Sequence, residues 1–255
     1  MPHPAISFDD TTRLLVLTGA GISAESGLAT FRGAGGLWEG SRVEDVATPE
    51  AFEANPERVL RFYAARRLGA GAAHPNAAHL ALAEAEARLG DRFLLATQNV
   101  DGLHARAGSR HTLEIHGSLW RSRCSRCHAG PVEDRSTEIA HPLRACATCG
   151  SLMRPDIVWF GEMLDPAHEW AVRSFVKAAD MARARLVFLA IGTSGNVYPA
   201  AGYVRYAKDL GAETWLANAD EAANAHWFDH IVTGPATGVV PALLSASGPE
   251  ARGVR

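Results

Sequence analysis

Four groups of residues in this 255-residue chain have the types and spacing to do chemistry. Gly19, Gly21 and Ala24 match G-x-G-x-x-G/A directly after the apolar run Leu14 to Leu17. Small residues there allow a tight turn, close approach of backbone to a pyrophosphate, and an anion seated over exposed N–H groups. Gln98, Asn99, Val100 and Asp101 follow a second apolar run, Phe93 to Thr97, and offer donors and acceptors suited to ribose hydroxyls and an amide. His116 ends the alternating stretch Thr112 to His116 and precedes Gly117, which places an imidazole at a strand end, where it can act as a base near pH 7. Cys124, Cys127, Cys146 and Cys149 are spaced C-x2-C, 18 residues, C-x2-C, the pattern of a closed tetrahedral structural zinc site. Each group has a plainer alternative: a structural glycine turn, a polar helix entry, a core histidine, or free or bridged thiols.

The elements that must position these groups are legible from pattern. Leu14 to Leu17, Phe93 to Thr97 and Leu186 to Ile191 are apolar without alternation, as in parallel strands buried on both faces. Thr214 to Ala217 is a further strand, delivering Asn218, Ala219 and Asp220. Polar, glycine-containing turns follow strand after strand, which is how a doubly wound sheet builds a cleft at its carboxyl edge. Thr48-Pro49 and Asn55-Pro56 predict two successive capped helices, the second ending at about Leu68 before Gly69. On it Tyr63 and Arg66 share a face, and Arg67 also lies within reach of Tyr63. Asn76 caps a helix through Leu89, Pro199 starts one that runs to Leu210, and Val239 to Leu244 forms a last short helix. His74, His79, His104, His111 and His128 are expected as surface or capping groups. The tail from Gly248 is expected to be disordered, and Gly33 to Gly40 reads as a loop. No clean second strand with a ribose-binding acid follows the first turn, which counts against a hydride-transfer enzyme.

Composition narrows the field further. Hydrophobic content of 47% and charged content of 21% suit a globular chain. A net charge of −3 gives no basic face for direct nucleic-acid binding. Met1-Pro2-His3-Pro4 lacks the charged and apolar regions of a secretory signal, and the apolar runs are too short to span a membrane. A cytoplasmic setting is expected, where the four cysteines favour a metal over disulfides.

In order along the chain, GAGISAESGLATFRG, TQNVDGLH, His116-Gly117, the two cysteine pairs, VWFGE, GTSGNVYPAA and the Asn218 turn resemble the sirtuins, NAD-dependent protein-lysine deacylases. Tyr63-x-x-Arg66 together with VWFGE resembles the bacterial class III type, in which that Tyr and Arg receive succinyl or malonyl groups. The resemblance selects Arg66 over Arg67. It implies one catalytic domain of α/β class, with a Rossmann-like doubly wound lobe over about 1–37, 79–119 and 154–247 and a small lobe of a helical module, 38–78, and a zinc module, 120–153. It implies NAD as co-substrate and one structural Zn2+ on the four cysteines. NAD would meet Gly19, Ala20, Gly21, Ser23, Ala24, Glu25, Thr30, Phe31, Arg32, Trp38, Gln98, Asn99, Val100 and Asp101. On the far side it would meet His116, Gly192, Thr193, Ser194, Asn218, Ala219, Asp220 and Ala236. His116 and Asn99 would be catalytic.

The acylated-lysine protein would add as an extended strand between Phe160-Gly161-Glu162 and Gly195-Asn196-Val197, with Val158 and Phe160 lining the lysine tunnel and Tyr63 and Arg66 binding the acyl end. Products would be free lysine, nicotinamide and O-acyl-ADP-ribose, made by a monomer. The chain departs from the family at Ala29, where Pro is usual, and at Gly102, where some relatives carry a bulkier residue. An NAD-dependent mono-ADP-ribosyltransferase is the alternative enzyme, and a non-catalytic NAD-sensing or zinc-mediated binding module is the alternative without catalysis.

Overall fold

The computed structural model describes residues 5–30, 37–38, 41–127 and 129–245, with only the backbone at 37–38. Phe31, Arg32, most of the loop expected at 33–40 and the tail lie outside the described residues, as does the side chain of Trp38.

Six parallel strands form the main sheet in the order His230–Thr233, Glu213–Asn218, Leu186–Ile191, Arg13–Thr18, Phe93–Thr97, Thr112–Glu114. The apolar runs become its inner strands because both faces are covered. Leu14, Val16, Leu95, Val187 and Leu189 pack on one side with the helices Ala77–Leu89 and Ala236–Leu244. Leu15, Leu17, Phe188 and Ala190 pack on the other with Pro166–Met181 and Tyr203–Asp209. From the central strand Arg13–Thr18 the chain builds outward in one direction, then returns to its other side at Leu186–Ile191. That reversal opens a crevice at the carboxyl ends of these two strands, between Thr18-Gly19 and Ile191-Gly192.

A second sheet of three antiparallel strands has Gly117–Cys124 at its centre, flanked by Val132–Glu133 and Met153–Ile157. Its two long strands straddle the boundaries expected at residues 119 and 154. The chain can turn from the main sheet into this one because Gly117 sits at φ +83°, where any Cβ would lie 2.0 Å from the Asp156 carbonyl oxygen. The helices Pro49–Ala54 and Pro56–Ala72 begin as predicted, with Thr48 accepting from the Ala51 N–H and Asn55 from the Arg58 N–H. They pack Val59 and Tyr63 against Leu119, Ile157 and Trp159.

Several local expectations need correction. The second of these helices runs through Gly69 to Ala72 because Ala70 is buried and its carbonyl accepts from Arg106, so tertiary contacts override the glycine. The stretch after Pro199 is a 3-10 turn, Ala200–Gly202, before the α-helix Tyr203–Asp209. The turn after the first strand is likewise 3-10, Ala20–Ser26, ending on Gly27 in the left-handed region. No helix among the described residues is long and apolar enough to cross a membrane.

Candidate active site

One cavity of about 1120 Å3 runs across the crevice, above the 300–1,000 Å3 that holds one drug-sized ligand. Its floor is the set of turns at the carboxyl edge of the main sheet. Gly19 and Gly21 are there because the backbone of Gly192 presses on them: a Cβ on Gly21 would lie 2.6 Å from the Gly192 Cα, and one on Gly19 would lie 2.7 Å from the Gly192 carbonyl oxygen. This glycine contact leaves an open backbone cradle where a dinucleotide phosphate fits. The Gly19 and Gly21 N–H groups are not donors for it, since they bond the carbonyls of Ile191 and Gly192. An anion would draw on other N–H groups of the Ala20–Ser26 turn.

Behind the cradle the polar side chains hold one another. Ser23 is buried and its Oγ donates to Asp101 Oδ2 at 2.8 Å, while Asp101 Oδ1 accepts from the Leu103 N–H at 2.9 Å. Asn99 Nδ2 donates to the Gly19 carbonyl at 3.1 Å and reaches Ser23 Oγ at 3.3 Å. Gln98 Nε2 donates to Thr193 Oγ1 across the crevice, and the Asn218 amide donates to the Thr193 carbonyl. Glu25 ties the turn to the last helix by accepting both the N–H and the hydroxyl of Thr237.

A layer below holds two of the histidines expected as surface or capping groups, and neither is at the surface. His79 and His104 are both buried, with ring centroids 4.9 Å apart. His79 serves as a helix cap, as expected, through Asn76, and lies 3.5 Å from Ser23 Oγ. His104 bonds Thr18 Oγ1 at 2.9 Å. Burial pushes their pKa values down, to about 4 for His79 and about 3 for His104, so both are neutral at pH 7. Trp120 is a further partner absent from the sequence reading: its indole N–H donates to the Asp101 carbonyl at 2.7 Å, and its ring covers Gly102 closely enough that a Cβ there would lie 2.6 Å from Nε1.

His116 stands half-buried between the two sheets. Its Nδ1 lies 3.0 Å from the Gln98 carbonyl oxygen, which only accepts, so the proton sits on Nδ1 and Nε2 is the acceptor. Burial lowers its pKa, opposed by the Gln98 carbonyl and aided by nearby His168.

The opposite wall carries Tyr63, Arg66, Val158, Trp159, Phe160, Gly161, Glu162 and Val197. Arg67 turns away from it: its guanidinium is buried on the Leu119 carbonyl at 2.6 Å and on Asp134 at 3.0 Å. Glu162 holds Arg154 with both carboxylate oxygens, at 2.6 and 2.9 Å. Gly195 and Asn196 are not part of the cavity wall; Gly195 packs on Asn224, with φ +73°. The remaining expected residues Ala20, Ala24, Thr30, Val100, Gly192, Ser194, Ala219, Asp220 and Ala236 all line the cavity.

Away from the cleft, the four cysteines bring one sulfur each within 4.8 Å of all the others. Cys124 and Cys149 Sγ are 3.5 Å apart and Cys127 and Cys146 Sγ 3.7 Å. Sulfurs about 2.3 Å from a tetrahedral zinc would stand about 3.8 Å apart, whereas a disulfide requires about 2.0 Å. The donor set fits one zinc ion.

A profile of the Sir2 family matches residues 19–199. The chain is 50% identical over 236 residues to an NAD-dependent protein deacylase of Escherichia coli, covering 91% of this chain and 81% of that one. Among solved structures, a Sir2 homolog–NAD complex superposes with a TM-score of 0.81 at 41% identity over 95% of both chains. A Sir2–p53 peptide–NAD+ complex superposes with a TM-score of 0.70 at 27% identity, covering 88% of this chain and 89% of that one.

Proposed function

The chain belongs to the Sir2 family and is an NAD-dependent protein deacylase, and from that premise we propose that it removes acidic acyl groups, succinyl and malonyl, as well as acetyl. The observation that carries the acyl assignment is that Tyr63 and Arg66 line the same cavity as His116 and Asp101, while Arg67 is buried against the second sheet. A guanidinium and a phenol on one wall suit a distal carboxylate, which Arg66 can bind through two N–H groups, an interaction worth about 1.5–3 kcal/mol.

Bound NAD would supply a ribose carbon that turns electrophilic as nicotinamide departs and that receives the acyl oxygen; one water would then replace the lysine nitrogen on the acyl carbon, so that free lysine and O-acyl-ADP-ribose are the products. Asp101 would hold the carboxamide, its own carboxylate oriented by Ser23 and the Leu103 N–H. Asn99, anchored on the Gly19 carbonyl, would order the ribose and a water beside it. His116 would take a ribose hydroxyl proton on Nε2, since its Nδ1–H is committed to Gln98. The acylated segment would lie extended between Phe160-Gly161-Glu162 and Gly195-Asn196-Val197, held by its backbone. Because Glu162 is paired with Arg154, that edge would offer backbone rather than a carboxylate.

Arg66→Met tests the acyl assignment. Its KM should rise far more for a succinyl-lysine peptide than for the acetyl-lysine form; equal losses on the two would refute it. His116→Tyr should lower turnover by orders of magnitude with NAD binding retained, and normal turnover would place the base elsewhere.

A further inference from the structure

We infer that Trp120 is a positioning residue for the nicotinamide end of NAD: from the second sheet, its indole N–H holds the Asp101 carbonyl and so sets the turn that aims the Asp101 carboxylate. The inference rests on the assignment of Asp101 to the carboxamide above and deepens it.

Asp101 lines the cavity, and the direction of its carboxylate follows the backbone turn that carries it: Oδ1 accepts from the Leu103 N–H at 2.9 Å. Between the two residues stands Gly102, at φ +76°. A glycine has little conformational preference of its own, so neighbouring contacts must choose that state. The strand Gly117–Cys124 makes the choice by taking two successive carbonyls of the turn. The Leu119 N–H donates to the Val100 carbonyl at 2.9 Å, and Trp120 Nε1 donates to the Asp101 carbonyl at 2.7 Å. Rotating the Asp101–Gly102 peptide away from the indole would swing Gly102 out of that state and the Leu103 N–H off Oδ1. Ser23 holds the other carboxylate oxygen, at 2.8 Å, from the first turn.

The indole reaches this carbonyl through a slot between two glycines. A Cβ on Gly102 would lie 2.6 Å from Trp120 Nε1, too close to coexist with the bond, and one on Gly71 would lie 3.7 Å from the far end of the ring, in ordinary contact. Gly102 is therefore the residue that the indole requires, which gives a physical reason for glycine where some relatives carry a bulkier residue. Trp120 is itself fixed on the second sheet. Its carbonyl accepts from the Asp134 N–H at 2.9 Å, and the Arg135 guanidinium carbon stands 5.7 Å from its ring centroid. Asp134 is in turn paired with the buried Arg67. The sheet that carries the cysteines thus holds the turn that meets the nicotinamide. A phenylalanine in place of Trp120 keeps an aromatic ring in the slot and lacks the N–H, so it separates packing from positioning.

The experiment measures the Kd of carba-NAD, an NAD analogue whose nicotinamide cannot leave, and of ADP-ribose, which has none, each with a saturating acetyl-lysine peptide. Wild type, Trp120→Phe, Asp101→Ala and the double variant are compared. Trp120→Phe should raise the carba-NAD Kd about fivefold, the loss of one neutral hydrogen bond, and leave the ADP-ribose Kd within about twofold of wild type. In the Asp101→Ala background it should change the ratio of the two no further. Equal weakening of both ligands, no weakening of either, or an undiminished effect without the Asp101 carboxylate would overturn the inference. If Trp120→Phe does not fold, benzothienylalanine at the same position, with the shape of the indole and no N–H, must raise the ratio to the same extent, and an unchanged ratio overturns the inference instead. If Asp101→Ala discriminates between the ligands and Trp120→Phe does not, only this inference falls. If Asp101→Ala does not discriminate, the carboxamide assignment has failed and takes this one with it.

Discussion

The two sides of the cleft are held together by different chemistry. The floor, at the carboxyl edge of the main sheet, is a network of neutral groups around one carboxylate: Thr18, Thr97, His104, His79, Ser23 and Asn99 about Asp101. The opposite wall, on the second sheet, is stitched with ions: Arg154 with Glu162, Arg121 with both Glu114 and Asp156, Arg67 with Asp134. The wall near the cavity has an apolar cluster of its own, with Val59, Tyr63, Leu119, Ile157 and Trp159 among its members, and it is toward the cysteines that the second sheet runs out of core. The floor stands on two large clusters that sandwich six strands. Around the cysteines the buried apolar cluster is Cys124, Cys146 and Met153 with Ala129 against it. A region that buries so little cannot offset its chain entropy by the hydrophobic effect, and charges and a metal take over.

If that contrast is right, removing metal should produce the largest effect and should act on one side first. Structural zinc contributes on the order of 10–16 kcal/mol of apparent binding energy in small modules. Protein stripped by a chelator should lose amide protection in Gly117–Cys124 and Met153–Ile157 while Arg13–Thr18 and Leu186–Ile191 stay protected. Simultaneous loss in both sheets would break the contrast. Next in size is Arg67→Met. The Arg67 and Asp134 side chains are 5% and 11% exposed, and removing one partner of a buried pair costs about 3–5 kcal/mol. Urea denaturation should show a loss of that order; a loss below about 1 kcal/mol would mean the pair is solvated.

How far each side could be read in the sequence also differs. Uninterrupted apolar runs announced the inner strands, the caps at Thr48, Asn55 and Asn76 announced helix starts, and two C-x2-C pairs announced the metal centre, because each of these signals is local. The layer behind the site was not legible. Thr18 meets His104, and Tyr63 meets Trp159, across 86 and 96 residues, and no periodicity marks such a pair. His79 caps its helix within the expected range of roles, but nothing adjacent in the chain reveals that it packs on His104 or that both are buried. Arg66 and Arg67 were separable only by resemblance; in the fold their side chains diverge by a residue's rotation about the helix, one toward the cavity and the other into the second sheet.

The floor's neutrality makes a pH prediction of intermediate size. The folded pKa values of His79 and His104, about 4 and about 3, lie below the ordinary value of 6.5. As pH falls through about 6.5 the unfolded chain therefore takes up protons that the folded chain refuses. This part of the stability is complete above pH 6.5 and is lost as pH falls toward 4 and then 3, at about 1.4 kcal/mol per unit for each group. Between pH 7 and 4.5 the unfolding free energy of His104→Gln should fall by about 2–3 kcal/mol less than that of wild type. Equal slopes would show that His104 is charged in the native state.

The smallest effect belongs to the residue where the two sides meet. His116 hangs from the floor through Gln98 and faces His168 on the helix Pro166–Met181, and its pKa is lowered first by burial and further by that neighbour. As a general base it works only when neutral, so kcat/KM should decline on the acid side with a midpoint below 6.5. His168→Gln removes the neighbour that lowers the His116 pKa, which makes protonation of His116 easier. The acid limb should therefore move up, toward 6.5, by less than one unit, while the plateau rate at pH 8 changes little. The displacement should disappear at high salt if the coupling is through solvent and persist if it is through the protein interior. A limb that starts above 6.5 in wild type would mean that the imidazole is not desolvated in the working enzyme, and the neutral floor would then end one residue short of the chemistry.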